Sequence, residues 1–246
     1  MQFLNDFKKR FHSGAIAKCW HACAPSFPLA RTFYGVPVYM DFRDNVDDWT
    51  KSRAELEKRE VALLDLAGRL KSGPVWDVGA NIGLFSVRAA VNGISCVAFE
   101  LSPKACRLME RTISRTRLPI QIVKRAFTLN PVSYIPPASA FAENALAVAP
   151  SGEGTLTSCG FEEAERLYGT PTLLKMDIEG GEKEFFDSAA FKEWILRRNV
   201  LWCVEVHRAK LGCSPEWTDV PHCTLDGEHV LYAPSEAALA EIVPSI

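Results

Sequence analysis

The amino-acid sequence predicts an α/β fold in which helices cover both faces of a mostly parallel sheet. Three observations lead to this prediction. Short apolar segments alternate with helical patterns between residues 75 and 207. Polar clusters follow several of those apolar segments, as they do at the carboxyl edge of a parallel sheet. The segment 75–86 reads as an apolar strand, a turn with two glycines and the start of a helix.

The composition is that of an ordinary globular protein large enough for one α/β domain. The chain has 246 residues, of which 48% are hydrophobic and 24% charged, and its formal net charge is -2. We expect an N-terminal extension or cap over residues 1–52 and the α/β domain over residues 53–246. Because so small a net charge creates no overall field for nucleic acid, no nucleic-acid partner is predicted.

Cysteine usage and the distribution of apolar residues favour a cytoplasmic protein. The eight cysteines are scattered, and Cys96 and Cys203 fall in predicted buried strands, where free thiols are common. No transmembrane segment or signal peptide is predicted, since no run of 18 apolar residues occurs and basic residues interrupt positions 8–10. Residues 1–24 have the pattern of an amphipathic helix, which packs on its own domain or contacts a membrane surface or a partner.

The individual elements follow from hydrophobic spacing and from proline and glycine positions. Leucines at helical spacing predict a helix over 53–71, and Ser102-Pro103 are typical of an N-cap and a first helical position. Residues 128–154 are rich in Pro, Ala and Ser and are predicted to be irregular. The other predicted elements are a strand pair at 32–40, strands at 75–78, 95–100, 120–127, 172–176 and 200–206, helices at 83–92, 104–116, 160–168, 183–188 and 191–198, and a terminal hairpin at 223–232.

Four basic residues lie on one side of the predicted helix 104–116. They are Lys104, Arg107, Arg111 and Arg115. Such a stripe is typical either of a solvated outer face or of a surface that binds nucleic acid. The sequence shows no aromatic platform beside the stripe, so we interpret it as a solvated face.

The turn at residues 79–83 indicates the kind of ligand. A dinucleotide-binding turn has a glycine where this chain has Asn81, because the backbone there approaches a pyrophosphate. A side chain at this position favours a ligand with adenosine and no phosphates, such as S-adenosylmethionine. Asn81 itself either hydrogen-bonds the ligand or the loop, or adopts a left-handed turn conformation. Asp77, before the turn, either meets the ligand's ammonium group or orders the loop amides.

Carboxylates follow two further predicted strands. Glu100 ends the second strand of the sheet, where it accepts hydrogen bonds from ribose hydroxyls or helps to cap the next helix. Asp177, Glu179 and Glu182 crowd together after the fourth strand, although the helix dipole alone favours an acidic residue at the position of Glu182. Their mutual repulsion requires a cation or a hydrogen-bond donor among them. The candidates are Lys175, a substrate, the methionine ammonium group and a metal ion.

His207 follows the fifth strand beside Glu205. An imidazole of near-neutral pKa can take the proton that a hydroxyl loses during methyl transfer, and Asp177 is the competing base. A divalent ion held by Asp177, Glu179 or His207 is a third route, because the ion would acidify the hydroxyl. The sequence leaves these three routes open.

The chain resembles the FkbM family of S-adenosylmethionine-dependent methyltransferases at these motifs. The similar segments are D-V-G-A-N-I-G at 77–83, A-F-E at 98–100, L-K-M-D-I-E-G-G-E at 174–182 and, more loosely, V-E-V-H at 204–207. The resemblance covers about residues 55–235. It implies a Rossmann-like class I methyltransferase with a mostly parallel seven-stranded sheet and a C-terminal antiparallel hairpin.

The resemblance also implies a reaction and a set of site residues. The reaction is O-methylation of a hydroxyl on a sugar, a glycan or another small natural product. The cofactor-binding residues would be Asp77, Gly79, Asn81, Gly83, Glu100 and Leu101, the catalytic residues Asp177, Glu179 and His207, and the substrate-side residues Lys175, Glu182 and Glu205. Related methyltransferases often have a polar or acidic adenine contact where this chain has residues 124–127, so the adenine contact is not assigned.

Two other functions fit parts of the sequence. A nicotinamide-dependent oxidoreductase would use the same kind of fold and a carboxylate like Glu100, but Asn81 in the turn disfavours it. A catalytically silent methyltransferase-like module would bind a partner through residues 1–24. The intact motif carboxylates and His207 favour an enzyme over such a module.

Overall fold

A computed structural model describes residues 23–45, 73–137, 146–152, 155–212, 215–225 and 228–242. Three expectations lie outside these residues: the helix at 53–71, the boundary at 52/53, and all but the last two residues of the helix at 1–24. The strands are β1 Pro28–Phe33, β2 Val36–Asp41, β3 Val75–Val78, β4 Cys96–Phe99, β5 Ile120–Val123, β6 Phe127–Thr128, β7 Ser133–Ile135, β8 Ala147–Val148, β9 Leu156–Thr157, β10 Cys159–Gly160, β11 Leu173–Met176, β12 Leu201–Glu205, β13 His222–Thr224 and β14 His229–Tyr232. The helices are α1 Leu84–Val91, α2 Pro103–Thr116, α3 Phe161–Tyr168, α4 Glu182–Phe186, α5 Ala189–Arg197, α6 Arg208–Leu211 and α7 Glu236–Ile242.

The central sheet has the strand order β13-β14-β12-β11-β3-β4-β5. The five strands from β12 to β5 are parallel to one another, whereas β14 is antiparallel to both β12 and β13. Every residue of β3 and β4 is buried. This explains their nearly continuous apolar sequences, because a parallel sheet is covered on both faces. The predicted α/β fold with a large, mostly parallel sheet is therefore confirmed.

Alternate residues of each central strand enter two separate hydrophobic clusters. Val75 and Ala98 belong to the first cluster, which α1, α2 and the β1–β2 hairpin complete. Trp76 and Phe99 belong to the second cluster, which is rich in aromatic residues from the segments around α3, α4 and α5. The period of two along each strand thus places helices on both faces of the sheet.

The β1–β2 hairpin packs against α2. Val38 and Met40 are fully buried in the first cluster, and the backbone N–H of Tyr39 donates to Thr112 Oγ1 at 2.9 Å. Lys104 Nζ lies 3.0 Å from Asp41 Oδ2 and 2.7 Å from an Asp44 carboxylate oxygen. Part of the expected N-terminal extension therefore belongs to the same core as the sheet.

Two sequence-based boundaries need correction. The predicted strand 120–127 is divided into β5 and β6, because the chain turns where the N–H of Arg125 donates to Val123 O at 2.8 Å. The segment 128–154, predicted to be irregular, contains β7 and β8, which join β9 in a small antiparallel sheet. Such two- and three-residue strands are too short to leave a periodic pattern in the sequence.

Three smaller sequence-based expectations concern the start of α2, the state of the cysteines and membrane-spanning helices. Ser102 caps α2 as predicted, its side chain accepting from the N–H of Ala105 at 3.3 Å, and Pro103 opens the helix. None of the described cysteines, at positions 23, 96, 106, 159, 203 and 223, forms a disulfide. In the searched part of the chain, no helix has the length and apolarity needed to cross a membrane.

Candidate active site

The candidate active site is a cavity of about 390 Å³ at the carboxyl ends of β3, β4 and β11. The chain proceeds from β3 outward to β4 and β5, and later returns to β11 on the other side of β3. The sheet therefore has its topological switch point between β3 and β11, which is where open α/β sheets bind ligands. The volume lies within the range of small-molecule sites.

The turn after β3 forms one wall of the cavity. Gly79 has φ +75°, and a Cβ atom there would lie 1.7 Å from the carbonyl oxygen of Asp177, so only glycine fits. Asn81, with φ 51°, has the left-handed conformation that the sequence left as one of its alternatives. Its backbone N–H donates to Glu100 Oε2 at 2.7 Å, so the turn and the carboxylate are directly joined.

Two predicted cofactor-binding residues do not line this cavity. Asp77 is fully buried beneath the turn, where Oδ2 accepts from the N–H of Ser86 at 3.1 Å and from its hydroxyl at 2.6 Å. Gly83, with φ +81°, begins α1 and packs against Met109. The sequence predicts that Asp77 either meets the ligand's ammonium group or orders the loop amides. Its hydrogen bonds to Ser86 are those of a residue that orders the backbone.

Glu100 and Leu101 line the cavity after β4. Glu100 is 8% exposed, and its Oε1 accepts from the N–H of Ser102 at 2.7 Å while Oε2 accepts from that of Asn81. Burial raises the pKa of Glu100, and the two backbone donors act in the opposite direction. The carboxylate therefore helps to hold the start of α2 and also contributes to the cavity wall.

The loop after β11 forms the opposite wall of the cavity. His207 contacts this loop on the side that faces away from the cavity. Asp177 and Glu179 line the cavity. His207 Nε2 lies 3.3 Å from Glu179 Oε2 and 3.7 Å from Asp177 Oδ1. Oδ1 of Asp177 is buried and accepts no hydrogen bond within the described part of the chain. The three predicted catalytic residues are thus adjacent, but the imidazole does not line the cavity.

Glu182 fixes the other side of the His207 ring. It is fully buried, and its Oε1 receives His207 Nδ1 at 2.8 Å and the backbone N–H groups of Ile178 and Gly180 at 3.3 and 3.2 Å. The hydrogen bond to Glu182, followed by the charges of Glu179 and Asp177, raises the pKa of His207 to about 9. At neutral pH the ring is therefore a cation, and its positive charge offsets the repulsion expected among these carboxylates.

The remaining substrate-side candidates also lie behind the cavity wall. Lys175 Nζ is 3.4 Å from Asp177 Oδ2 and 3.7 Å from Asp77 Oδ1. Glu205 Oε2 is 3.2 Å from His229 Nε2, and that partner lowers the pKa of Glu205 to about 2 against the opposing effect of burial. Asp177, Glu205 and His207 place ligand-type atoms within 4.8 Å of one another, so this set, with Glu205 instead of the expected Glu179, has the geometry for a metal ion.

Several lining residues escaped sequence reasoning. Arg125 follows β5 within the segment 124–127, where the resemblance assigns no adenine contact, and Thr128 belongs to β6. Leu146 and Glu184 also line the cavity, and the sequence carries no recognisable signal at either position. The Arg125 guanidinium is held by Glu163 Oε1 at 2.8 Å and by the carbonyl of Ser158 at 2.6 Å. Of the described residues that line the cavity, four are carboxylates and Arg125 is the single cation, so the wall is predominantly acidic.

Comparisons with known proteins find solved structures that are similar to this chain at low sequence identity. No protein-family model matches the chain, and no curated protein matches it in sequence. It is similar to a tRNA (uracil-54, C5)-methyltransferase of Pyrococcus abyssi in complex with S-adenosyl-L-homocysteine, at 7% identity and a TM-score of 0.44, over 84% of this chain and 43% of that one. It is also similar to a T. thermophilus 16S rRNA methyltransferase in complex with AdoMet and guanosine, at 11% identity and a TM-score of 0.45, over 85% and 50%. A third is a SAM-dependent methyltransferase from Agrobacterium tumefaciens, at 14% identity and a TM-score of 0.43, over 86% and 71%.

These structures correct one expectation. The chain spans about half the length of the two RNA methyltransferases. Because proteins similar in structure act on tRNA and on 16S rRNA, the prediction that excluded a nucleic-acid partner is wrong. A net charge summed over the whole chain does not report the charge of one face.

Proposed function

We propose that this protein is an S-adenosylmethionine-dependent methyltransferase. The observation that carries the proposal is the acidic wall of the cavity at the switch point. Four carboxylates beside one already paired arginine suit a ligand that bears a sulfonium and an ammonium group. The same wall would repel a pyrophosphate, which argues against a nicotinamide cofactor. The motifs that contain three of these carboxylates, Glu100, Asp177 and Glu179, are also those that resemble the FkbM family.

The residues present fit the proposed cofactor. Glu100 would offer its carboxylate oxygens to the ribose hydroxyls, and the turn at Gly79 and Asn81, which lines the same cavity, would contact the methionine part. Phe99, Leu101 and Ala126 supply apolar surface for the adenine. When bound, S-adenosylmethionine supplies an electrophilic methyl group.

The proposed base is Asp177. It lies on the cavity wall, with the charged groups of Lys175 and His207 behind it. Burial raises the pKa of Asp177, against the opposing charge of Lys175, and a raised pKa makes a carboxylate a better base for the proton of an acceptor hydroxyl. His207 is already protonated at neutral pH, so we assign it a positioning role: it orients Asp177 and Glu179.

A divalent ion is the alternative occupant of this cluster. Asp177, Glu205 and His207 would hold it, and it would acidify the acceptor hydroxyl. The ion would have to displace the proton from His207. With a substrate in hand, the proposed base mechanism predicts turnover unaffected by a chelator, and loss of turnover that added metal restores would favour the ion.

The proposed acceptor group is a hydroxyl. A carboxylate base and the FkbM resemblance both support this choice. Radiolabelled S-adenosylmethionine incubated with host extract, followed by mass spectrometry of the labelled products, identifies the acceptor. Label on a carbon or a ring nitrogen would contradict the hydroxyl assignment.

Calorimetric titration with S-adenosylhomocysteine, S-adenosylmethionine and NAD tests the proposed function. We expect saturable binding of both adenosyl compounds and none of NAD. A folded protein that binds neither adenosyl compound would contradict the proposal, and binding of NAD alone would favour the oxidoreductase.

Glu100→Gln tests the ribose contact. The change removes the charge and turns an amide NH2 toward one of the backbone N–H groups of Asn81 and Ser102. Hydrogen bonds to a charged group contribute about 1.5–3 kcal/mol. We therefore expect the affinity for S-adenosylhomocysteine to fall about tenfold to a hundredfold in calorimetry. Glu110→Gln, which changes an exposed carboxylate paired with Lys124, is the matched control. Equal affinities in the two variants would remove Glu100 from the site.

A further inference from the structure

A second concave surface lies between the start of the β1–β2 hairpin and the outer face of α2. We call it the α2 groove; it has a volume of about 510 Å³ and is lined by Phe27, Lys104, Arg107 and Arg111 among others. The same helix begins at the candidate active site, because Ser102 and Ala105 line that cavity. The groove therefore extends along the protein surface from the neighbourhood of the active site.

The groove carries uncompensated positive charge. Lys104 is neutralised by Asp41 and Asp44, and Glu110 pairs with Lys124. Arg107 and Arg111 line the groove, and Arg115 follows them along α2 just outside it. All three are exposed and form no ion pair with any residue that the structure describes. They are spaced four residues apart, so their Cα atoms follow one another at roughly 6 Å along one side of the helix. Long side chains at this interval can reach successive phosphates of one strand.

The hairpin supplies aromatic rings next to these arginines. Phe27 is 44% exposed at the groove and stacks on Phe42, with ring centroids 4.9 Å apart and planes inclined by 15°. The guanidinium of Arg111 lies 5.4 Å from the centroid of the Tyr39 ring. The sequence predicts a solvated face for the stripe, because no aromatic platform stands beside it in chain order. The platform exists, but it comes from residues more than sixty positions away in the chain.

We infer that the α2 groove binds a single strand of nucleic acid. The arginines would contact its phosphates and Phe27 would stack on a base, which is the combination that single-strand-binding surfaces use. The inference deepens the proposed function and rests on it in one respect: a strand held along α2 would present its acceptor group to the cavity at the start of that helix. Binding itself does not depend on methyl transfer.

Shape favours a strand over a lipid surface. A membrane presents a flat anionic plane, whereas these groups line a concave groove. Membrane-binding helices also combine their basic residues with several apolar side chains on the contacting side. Phe27 is the single exposed large apolar residue that lines this groove in the described structure.

Fluorescence anisotropy of a labelled single-stranded RNA of about twelve nucleotides tests the inference. The full chain is titrated at several salt concentrations, and three phosphate contacts predict a slope of about −2 for log K against log salt. Arg107→Glu is expected to weaken binding about tenfold or more and to reduce the slope by about one unit. Arg166→Glu, which reverses an exposed arginine on α3, is the matched control and is expected to bind like the wild type.

The aromatic contact has its own pair of variants. Phe27→Ala is expected to weaken RNA binding about tenfold, because base stacking on an aromatic side chain is lost. Phe27→Trp keeps an aromatic ring and is expected to bind RNA with the affinity of the wild type. Circular dichroism checks that each variant is folded. Equal RNA affinity in Phe27→Ala and wild type would overturn the stacking contact.

The outcomes distinguish this inference from the proposed function. The assignment of the α2 groove as a binding site would be overturned by the absence of saturable RNA binding at low salt. It would also be overturned if R107E and R166E lost the same amount of RNA affinity. Binding to phosphatidylserine vesicles without binding to RNA would overturn it in favour of a lipid surface. We expect R107E to bind S-adenosylhomocysteine like the wild type. RNA binding without S-adenosylhomocysteine binding would contradict the methyltransferase proposal and leave the groove intact.

Discussion

His207 lies among four carboxylates, of which that of Glu205 is the most distant, at 4.0 Å from Nε2. Glu182 holds Nδ1, and Glu179 and Asp177 lie on the side of Nε2. An imidazole in this position is more useful as a fixed cation than as a base. Because Glu182 is fully buried, it would be an uncompensated charge if the ring lost its proton. The pair therefore links the conformation of the acidic loop to the charge of one side chain.

The stability contribution of His207 is expected to depend on pH. Its pKa is raised to about 9 in the folded protein, above the unfolded value of 6.5. The contribution is therefore fully present below pH 6.5 and is lost as pH rises through about 9. We expect the difference in free energy of unfolding between wild type and His207→Gln to fall by about 1–3 kcal/mol from pH 6 to pH 10. Urea unfolding across that range measures it.

His222→Gln is the matched control for this experiment, because His222 contacts Glu216 outside the site. A difference between wild type and His207→Gln that stays constant over the whole pH range would contradict the assignment of His207 as a cation.

At the scale of elements, the turn after β3 and the loop after β11 are built in contact. The N–H of Asp177 donates to Val78 O at 3.0 Å, and the carbonyl of Asp177 occupies the space that a side chain at position 79 would need. Asn81 and Glu179, at the two walls of the cavity, both have left-handed backbones, with φ 51° and 59°. Non-glycine residues in this region store strain, which is common where a binding loop is held in one shape.

Gly79→Ala and Gly93→Ala separate steric clash from backbone strain. The two glycines have similar φ values of +75° and +79°, but a Cβ at position 93 meets nothing within 4 Å. We expect Gly93→Ala to lower the free energy of unfolding by about 1 kcal/mol, because its backbone is left-handed and no side chain is in the way. Gly79→Ala should lower the free energy of unfolding by about 3 kcal/mol or more, because the loop after β11 must move to make room for the Cβ atom. The same movement should abolish binding of S-adenosylhomocysteine. Thermal unfolding and calorimetry measure both; equal costs would contradict the contact.

The attachment of the β1–β2 hairpin to α2 depends on Lys104. Its ammonium group bridges Asp41 and Asp44, whose side chains are only 2% and 1% exposed. Lys104→Met leaves these carboxylates without that cation, so we expect a loss of about 2–3 kcal/mol in the free energy of unfolding. Lys124→Met, which breaks an exposed pair with Glu110, should cost less than about 1 kcal/mol. Similar small losses in both variants would show that the hairpin is held by its apolar contacts alone.

At the scale of the molecule, the strand order brings distant segments to one edge. The residues around positions 80, 100 and 180 meet because β4, β3 and β11 are neighbours in the sheet. A ligand in the cavity would therefore contact loops from both halves of the domain, and its binding energy would oppose unfolding of the whole sheet.

Thermal unfolding with ligand tests this connection. At a free concentration of one hundred times its dissociation constant, S-adenosylhomocysteine adds about 2.7 kcal/mol to the stability of a protein that binds it only when folded. For a chain of this length we expect a rise in Tm of about 5–10 °C. NAD at the same concentration is the control. An unchanged Tm with S-adenosylhomocysteine would contradict binding at the switch point.

The sequence determined the elements of the main sheet and the identity of its loops. Buried parallel strands require continuous apolar runs, and glycine turns and capping residues act over a few positions, so these features are visible locally. The turn at 79–83, the carboxylate at Glu100 and the acidic run at 177–182 were all recognisable for this reason. The short strands β6 to β10 were not, because two or three residues carry no period.

Only the tertiary structure decided which of these side chains act together and in which charge state. Asp77 and His207 lie behind the cavity wall, although their sequence positions are as suggestive as that of Glu100. The cation at His207 depends on Glu179 and Glu182 from the segment after β11, and the aromatic platform beside the α2 arginines comes from the hairpin. Burial, charge and stacking are properties of neighbours in space, and the chain order does not contain those neighbours until it has folded.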